Sequence, residues 1–341
     1  MRKYLLPESG QFYKANLHCH TNVSDGRLSP GEMKEEYQKH GYSIIAYTDH
    51  NVLVPHPELT DDNFLALYGT EYDITEEKPG VTEFHRLKTC HICLIATDPE
   101  YVVQPYFRKT WIYDHMEDKS LVKYDESLPL CEYEYSPEYI NNMIKDARDK
   151  GYFVTYNHPA WSQEGYEIYG KYEGMHAMEI CNYGCVTEGY HDYNSKVYQE
   201  LLQQGKKIYC VATDDNHNGF PMESPYCDSF GGFTMIKADK LEYRSVTDAL
   251  LKGHFYASCG PEIYSLFIEG NKLHIETSDA ATITFTSGIR HCYTEFPTEG
   301  DHLNGTIFDV WPQDKFVRII VTDKEGRKAY TNAYFVEDLL K

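Results

Sequence analysis

Residues 15–25 read Ala-Asn-Leu-His-Cys-His-Thr-Asn-Val-Ser-Asp: an apolar run that ends in His18, Cys19 and His20, with Asp25 shortly after. Side chains alternate between the two faces of a strand, so His18 and His20 can share one face while Cys19 takes the other. The same one-residue gap recurs in Asp215-Asn216-His217, just past the run Ile-Tyr-Cys-Val-Ala-Thr. Between these pairs, His50, Glu71, His91 and His158 each stand within or just beyond a strand-like run. Imidazole and carboxylate together suit Zn, Mn, Fe and similar divalent ions. Nine such groups exceed what one ion needs and match a cluster of two or three. The pattern points to a multinuclear metallohydrolase.

Working outward, seven runs read as strands: 15–19, 43–48, 65–71, 90–96, 152–157, 176–181 and 207–213. Helical patterns fall at 29–40, 136–150 and 189–204. The first two open on Ser-Pro, which supplies an N-cap and a first-turn proline, and all three are followed by a glycine. Strands alternating with helices imply parallel strands joined by right-handed crossovers, of which a barrel is the closed form. His50, Glu71, His158, Asp215 and His217 then fall at or beyond carboxyl strand ends, the rim where catalytic residues of such barrels collect. His18, His20 and His91 sit within their strands and have to point inward.

Residues 98–135 are aromatic and charged without a clean period, which predicts a lid or specificity loop beside the rim. From 262 the pattern changes to period-two alternation, with a turn at Asp323-Lys-Glu-Gly326. The expected organisation is therefore a metal-binding α/β part over 1–261 and a small antiparallel β-sandwich over 262–341.

The chain has 341 residues and a formal charge of −21. Such acidity argues against nucleic acid or an anionic membrane as partner. An anionic small-molecule substrate is expected instead. No apolar run reaches the length of a membrane span, and no secretory pattern opens the sequence. The ten cysteines lack small-domain spacing and read as reduced thiols, which together predicts a cytoplasmic location.

The series HCHTNVSDGRLSP, YTDHN, GTEYD, CHICLIA, NHP and ATDDNH, over roughly residues 14–260, resembles the PHP family, named for polymerase and histidinol phosphatase. The resemblance implies a distorted (β/α)7 barrel holding two or three divalent ions. It implies one ion held by His18, His20, Glu71 and Asp215, a second by Glu71, His91 and His158, and a third by Asp25, His50 and His217. The one-residue spacing to His217 favours Asp215 over Asp214 as ligand. The C-terminal part is similar to a PHP branch with a β-rich tail, which includes a hydrolase of aryl carbamate esters.

A water bridging two such ions loses a proton near neutral pH and becomes a hydroxide nucleophile. The leading expectation is a phosphoesterase acting on a small phosphorylated metabolite; the alternative is a hydrolase of carboxylic or carbamic esters or amides. Asp49 is expected to orient a ligand histidine by accepting its second N–H. Arg86 is expected to meet an anionic substrate, with His85 and Arg27 as further candidates. Glu179 and Asn182 face the same rim and are candidates to shape a pocket. Trp161, past a strand end, either packs its loop or stacks on a ring of the substrate.

Overall fold

The computed structural model describes residues 2–116, 118–127, 131–132, 134–190, 193–298 and 302–340. A short strand, β1 (Arg2–Tyr4), precedes seven strands that match the seven expected ones. These are β2 (Gln11–Cys19), β3 (Ile44–Tyr47), β4 (Leu65–Thr75), β5 (Thr89–Ala96), β6 (Tyr152–Tyr156), β7 (Ala177–Asn182) and β8 (Tyr209–Thr213). The helices follow their capping signals. Pro30–Lys39 begins on Ser29, whose hydroxyl accepts from Glu32 N while Glu32 bonds back to Ser29 N. Pro137–Asp149 begins on Ser136, whose hydroxyl accepts from Tyr139 N without a return bond, and Tyr193–Gln203 lies within the third predicted span.

The strands run in the order β2-β3-β4-β5-β6-β7-β8, but they are not all parallel. Only a short 3-10 helix, Phe84–Arg86, and no α-helix separates β4 from β5, and β5 runs antiparallel to both its neighbours. This corrects the uniform parallel alternation expected from the sequence, because the short 76–88 connection returns the chain directly. The reversal matters for the site. It brings the beginning of β5, where His91 lies, to the same rim as the carboxyl ends of β4 and β6.

One core cluster gathers Ala15, Ala46, Leu67, Ile95, Phe153, Ala177 and Val211, one from each of these strands. Among the described residues no ladder closes β8 onto β2. A single parallel bridge joins Cys19 to Asn216, with His20 N donating to Asn216 O and Asp215 N to His18 O. Side chains fill the seam. Asn16 donates to Asn216 Oδ1 at 2.9 Å and accepts from Asp214 N at 3.0 Å. Between β2 and β8 the contact is thus one backbone bridge supplemented by amide side chains, not a continuous ladder.

The sheet continues on the other side of β2 through strands absent from the sequence-based expectation. They are β9 (Phe233–Ala238), antiparallel to β2, and β10 (Phe255–Ser258), with the helix Tyr243–Lys252 between them. The C-terminal part is antiparallel and β-rich. It comprises β11 (Ile263–Glu269), β12 (Lys272–Thr277), β13 (Thr282–Ser287), β14 (Cys292–Glu295), β15 (Gly305–Asp309), β16 (Phe316–Thr322), β17 (Lys328–Thr331) and β18 (Tyr334–Phe335). The turn predicted at 323–326 joins β16 to β17. One sheet has the order β1-β11-β12-β15; the other strands extend the large sheet through the β10–β17 pairing. Leu266, Ile275 and Phe308 of the first sheet face Ile283, Phe285 and Ile319 of the second in a shared core.

Replacing Asn16 by Ala leaves the buried Asp214 N–H without its acceptor and removes one of the two donors to Asn216 Oδ1. It is expected to lower unfolding free energy by about 2–4 kcal/mol, read from the denaturation midpoint. A loss below about 0.5 kcal/mol would show that the β2–β8 seam is held elsewhere.

Candidate metal centre

Local irregularities aim the site residues. The β2–β3 register slips by one residue between Asn16 and Cys19. Ala15 and Leu17 face the core below, whereas His18 and His20 face the cluster; such a slip re-aims side chains next to a site. Cys19 packs away from it, against Met33 and Tyr37. On the antiparallel β4–β5 pair, Glu71 lies opposite Cys93 and Asp73 opposite His91, so all four share one face. Asn51, His158 and Asp215 take left-handed φ values of 59°, 25° and 53°. A non-glycine residue held there costs roughly 1–3 kcal/mol and persists where surroundings enforce it. Their amides are tied within the site: Asn51 N donates to Glu71 O, His158 N to Glu179 Oε2 and Asp215 N to His18 O.

The nine predicted residues come together. His18 Nε2, His20 Nε2 and Asp215 Oδ1 lie 2.9–3.1 Å from one another, and Glu71 reaches both rings at 3.2 and 3.4 Å. His91 Nδ1 and His158 Nε2 stand 3.3 and 3.2 Å from Glu71 Oε1, and His50 Nδ1 stands 3.2 Å from Glu71 Oε2. Asp25 approaches His50 at 3.8 Å, His20 at 3.9 Å and His217 at 3.5 Å. Three groups have donor atoms mutually within 4.8 Å: His18–His20–Glu71–Asp215, His20–Asp25–His50–His217 and His50–Glu71–His91. The first reproduces the implied set. The second adds His20 to the implied third set. In the remaining group His50 stands where His158 was expected, although His158 touches the same carboxylate.

Divalent ions suit this donor set. Buried His20 Nδ1, His50 Nδ1, Glu71 Oε2, both nitrogens of His91 and Asp215 Oδ1 lack a hydrogen-bond partner. Buried polar atoms are normally paired, and each orphan costs about 1–3 kcal/mol. Ions bound at about 2.0–2.2 Å space neighbouring ligand atoms about 2.8–3.6 Å apart, the range of the contacts among His18, His20, Glu71 and Asp215. The electrostatics agree. Burial lowers the His18 imidazole, but Asp215, Cys93, Glu71 and Glu179 outweigh it and hold it well above its usual value. Burial would raise Glu71, yet the facing histidines hold it well below the carboxylate range. The carboxylates demand positive charge, and protons on histidine are the only source of it within the cluster. Burial and the charge on His20 push His50 down to about 4, leaving its ring neutral and able to bind a cation.

Around the nine, the structure assigns different roles from those expected. Glu179 was placed at the rim but not recognised as a partner of the cluster. Its Oε1 accepts from His18 Nδ1 at 2.7 Å and from Thr213 Oγ1 at 2.6 Å, which fixes the His18 lone pair on Nε2. Asn182 bridges Glu179 and Asp215. Asp49 does not accept from a ligand histidine. It takes hydrogen bonds from the amides and hydroxyls of Thr21 and Ser24, folding the loop that carries Asp25. Within that loop Gly26 passes so close that a Cβ would sit 2.6 Å from His20 O. Asp214 points away and accepts from Tyr37 OH and the amides of Phe230, Gly231 and Gly232. Arg86 is exposed, pairs with Glu83 and does not line the cavity; neither do His85 and Arg27. The residues near it that do turn inward are aromatic.

A cavity of about 510 Å³ opens onto the cluster. Its lining includes Asp25, Glu71, Asp73, Glu188, Asp215 and Asp228 but, among the described residues, no lysine or arginine. Tyr113 of the predicted insertion also faces it.

The clustered donors include three groups of side chains that could each hold a divalent ion. Residues 16–213 match the PHP domain, more than half of the chain, and the protein belongs to that family. No curated protein matches it. Among solved structures it is similar to a two-domain protein from Bacteroides vulgatus containing a predicted PHP-like metal-dependent phosphoesterase, at 15% identity and TM-score 0.46, covering 97% of this chain and 98% of that one. An inferred metal-dependent phosphoesterase from Bifidobacterium adolescentis aligns at 14% identity and TM-score 0.38, over 63% of this chain and 91% of that one. An amidohydrolase from Chromobacterium violaceum with bound sulfate and no metal aligns at 13% identity and TM-score 0.35, over 60% and 87%.

Glu179→Gln keeps the volume of the side chain but weakens the hold on the His18 tautomer. It is expected to reduce divalent-ion affinity about 10–100-fold in chelator competition, with Arg86→Ala unchanged. Equal affinity in the two variants would remove Glu179 from that role.

Proposed function

We propose that the protein is a metal-dependent phosphoesterase acting on a small phosphorylated metabolite. The observation that carries this reading is the set of buried, unpartnered histidine and carboxylate atoms at the base of a solvent-open cavity. His18, His20, Glu71 and Asp215 would hold one ion, Glu71 with His91 and His158 a second, and Asp25, His50 and His217 a third. Zn, Mn and Fe all suit these ligands. Bound there, the ions would supply Lewis acidity and lower the pKa of water near the reacting centre.

The chain's own residues set the geometry. Glu179 holds the proton on His18 Nδ1, and Asn182 steadies Asp215 from behind. Asp25 and His217 are the most exposed of the nine, so the third group is the part of the cluster an incoming substrate meets first. Tyr113, from the 98–135 insertion, forms part of the cavity wall in this reading. Phe107, Met116 and Val122 anchor the insertion against Val52 and Val54, just past His50, which supports that role. The catalytic unit is taken as 1–261 and the β-sandwich as 262–341, in a cytoplasmic protein with no nucleic-acid partner; no helix among the described residues is long and apolar enough to cross a membrane.

A second reading is favoured by one observation. The cavity offers no lysine or arginine to an anionic substrate, which suits a neutral carboxylic or carbamic ester or amide.

The test is a panel of phosphomonoesters, phosphodiesters and aryl carboxylic and carbamic esters, with wild-type and His158→Ala proteins reconstituted in Zn, Mn or Fe. Phosphoester turnover should fall at least about 100-fold in the variant and on chelation. Turnover confined to the carboxylic or carbamic esters would select the second reading; no turnover of any ester by the loaded protein would refute both.

A further inference from the structure

Exposed aromatic side chains from two separate segments of the chain form parts of the cavity wall. Phe84, from the short 3-10 helix Phe84–Arg86, is 42% exposed; Phe220 and Tyr226, from the loop after His217, are 55% and 60% exposed. All three line the cavity. They are not isolated. Phe84 lies 5.6 Å from Trp161 between ring centroids, and Phe220 lies 5.4 Å from Tyr226. Trp161 leads inward from Phe84: its ring meets His158 at 5.0 Å and His91 at 5.3 Å, edge to face. Its indole nitrogen donates to Glu188 Oε2, which fixes the plane of the ring. Ring contacts therefore link the histidines through Trp161 to the exposed Phe84.

Exposed rings gathered in pairs around one cavity form the kind of apolar patch that a ligand covers. The charge lining the same cleft limits what that ligand carries. Six carboxylates and no lysine or arginine surround it. Asp25, Glu71 and Asp215 would be taken up by the ions, but Asp73, Glu188 and Asp228 remain, so a second phosphate or a carboxylate on the organic half of a substrate would meet net negative charge away from the ions.

The geometry points to a subsite, formed by Trp161 and Phe84 on one part of the wall and Phe220 and Tyr226 on another, that binds the organic half of the substrate as a planar, uncharged aromatic group. An aryl ring and a nucleobase share that chemistry. This rests on the cavity being the substrate site of the hydrolase proposed above.

The test uses non-hydrolysable probes, so that leaving-group reactivity plays no part. Binding of phenyl methylphosphonate and ethyl methylphosphonate to the metal-loaded protein is measured by calorimetry, alongside phenylacetate and propionate. The phenyl member of the phosphonate pair should bind at least about 10-fold more tightly. Phe220→Ala and Phe84→Ala should each cut that preference about 3-fold. An unchanged denaturation midpoint of each variant reports an intact fold. A ring preference seen only in the carboxylate pair would uphold the subsite and overturn the phosphoesterase reading. No ring preference in either pair, or a preference untouched by both substitutions, overturns the subsite even where phosphonates bind. Adenosine 5′-methylphosphonate separates the two sources: tighter binding than the phenyl probe selects a nucleobase, weaker binding an aryl ring.

Discussion

Glu71 is the group around which the rest of the molecule is arranged. It is fully buried, and its two oxygens lie within 3.4 Å of ring nitrogens from five histidines that arrive from four different segments of the sheet. Asn157 donates to Oε1 at 2.7 Å, while Oε2 has no hydrogen-bond donor of its own. An ionised carboxylate at that depth is unfavourable unless charge of the opposite sign surrounds it. With Asp215 beside it, the need is for more positive charge than the neutral imidazoles supply. A cluster of divalent ions meets that need and uses the lone pairs that the fold leaves pointing inward.

Several departures from regular structure serve this one requirement. The reversed strand β5 brings His91 to Glu71, and the register slip in β2 turns His18 and His20 inward. Left-handed residues at Asn51, His158 and Asp215 bend the chain back over the cluster. Each would be a defect in an idealised sheet, and each is tied by a backbone hydrogen bond to another part of the site. The supporting carboxylates divide the work. Glu179 holds a ligand ring, Asp49 folds a ligand-bearing loop, and Asp214 anchors the 230–232 turn behind β8.

The C-terminal part also bears on the site's foundations. Asn332, fully buried, accepts from Cys210 N on β8 and donates to the carbonyls of Gly253 and Phe255. The strand that ends in Asp215 is thereby stitched to the β-rich part, whose large sheet is continuous with that of the metal-binding part.

Much of this was legible in the chain itself. Ser-Pro starts and glycine stops located helices because capping is a local interaction, and apolar runs located seven strands because burial imposes a period. The ligand residues stood out because His-x-His and Asp-x-His combine strand periodicity with metal chemistry within a few residues. The direction of β5, the strands β9 and β10 and the pairing of β1 with β11 were not legible, since they depend on which distant segments meet. The same holds for Glu179, Asp49 and Arg86. Whether a carboxylate at a strand end holds a histidine or folds a loop, and whether an arginine turns toward a cavity or toward Glu83, depends on distances of a few ångströms between segments remote in sequence. Sequence alone determined the composition of the metal centre, because ligand chemistry belongs to the residues; tertiary structure decided which atoms face the ions, because orientation belongs to the packing.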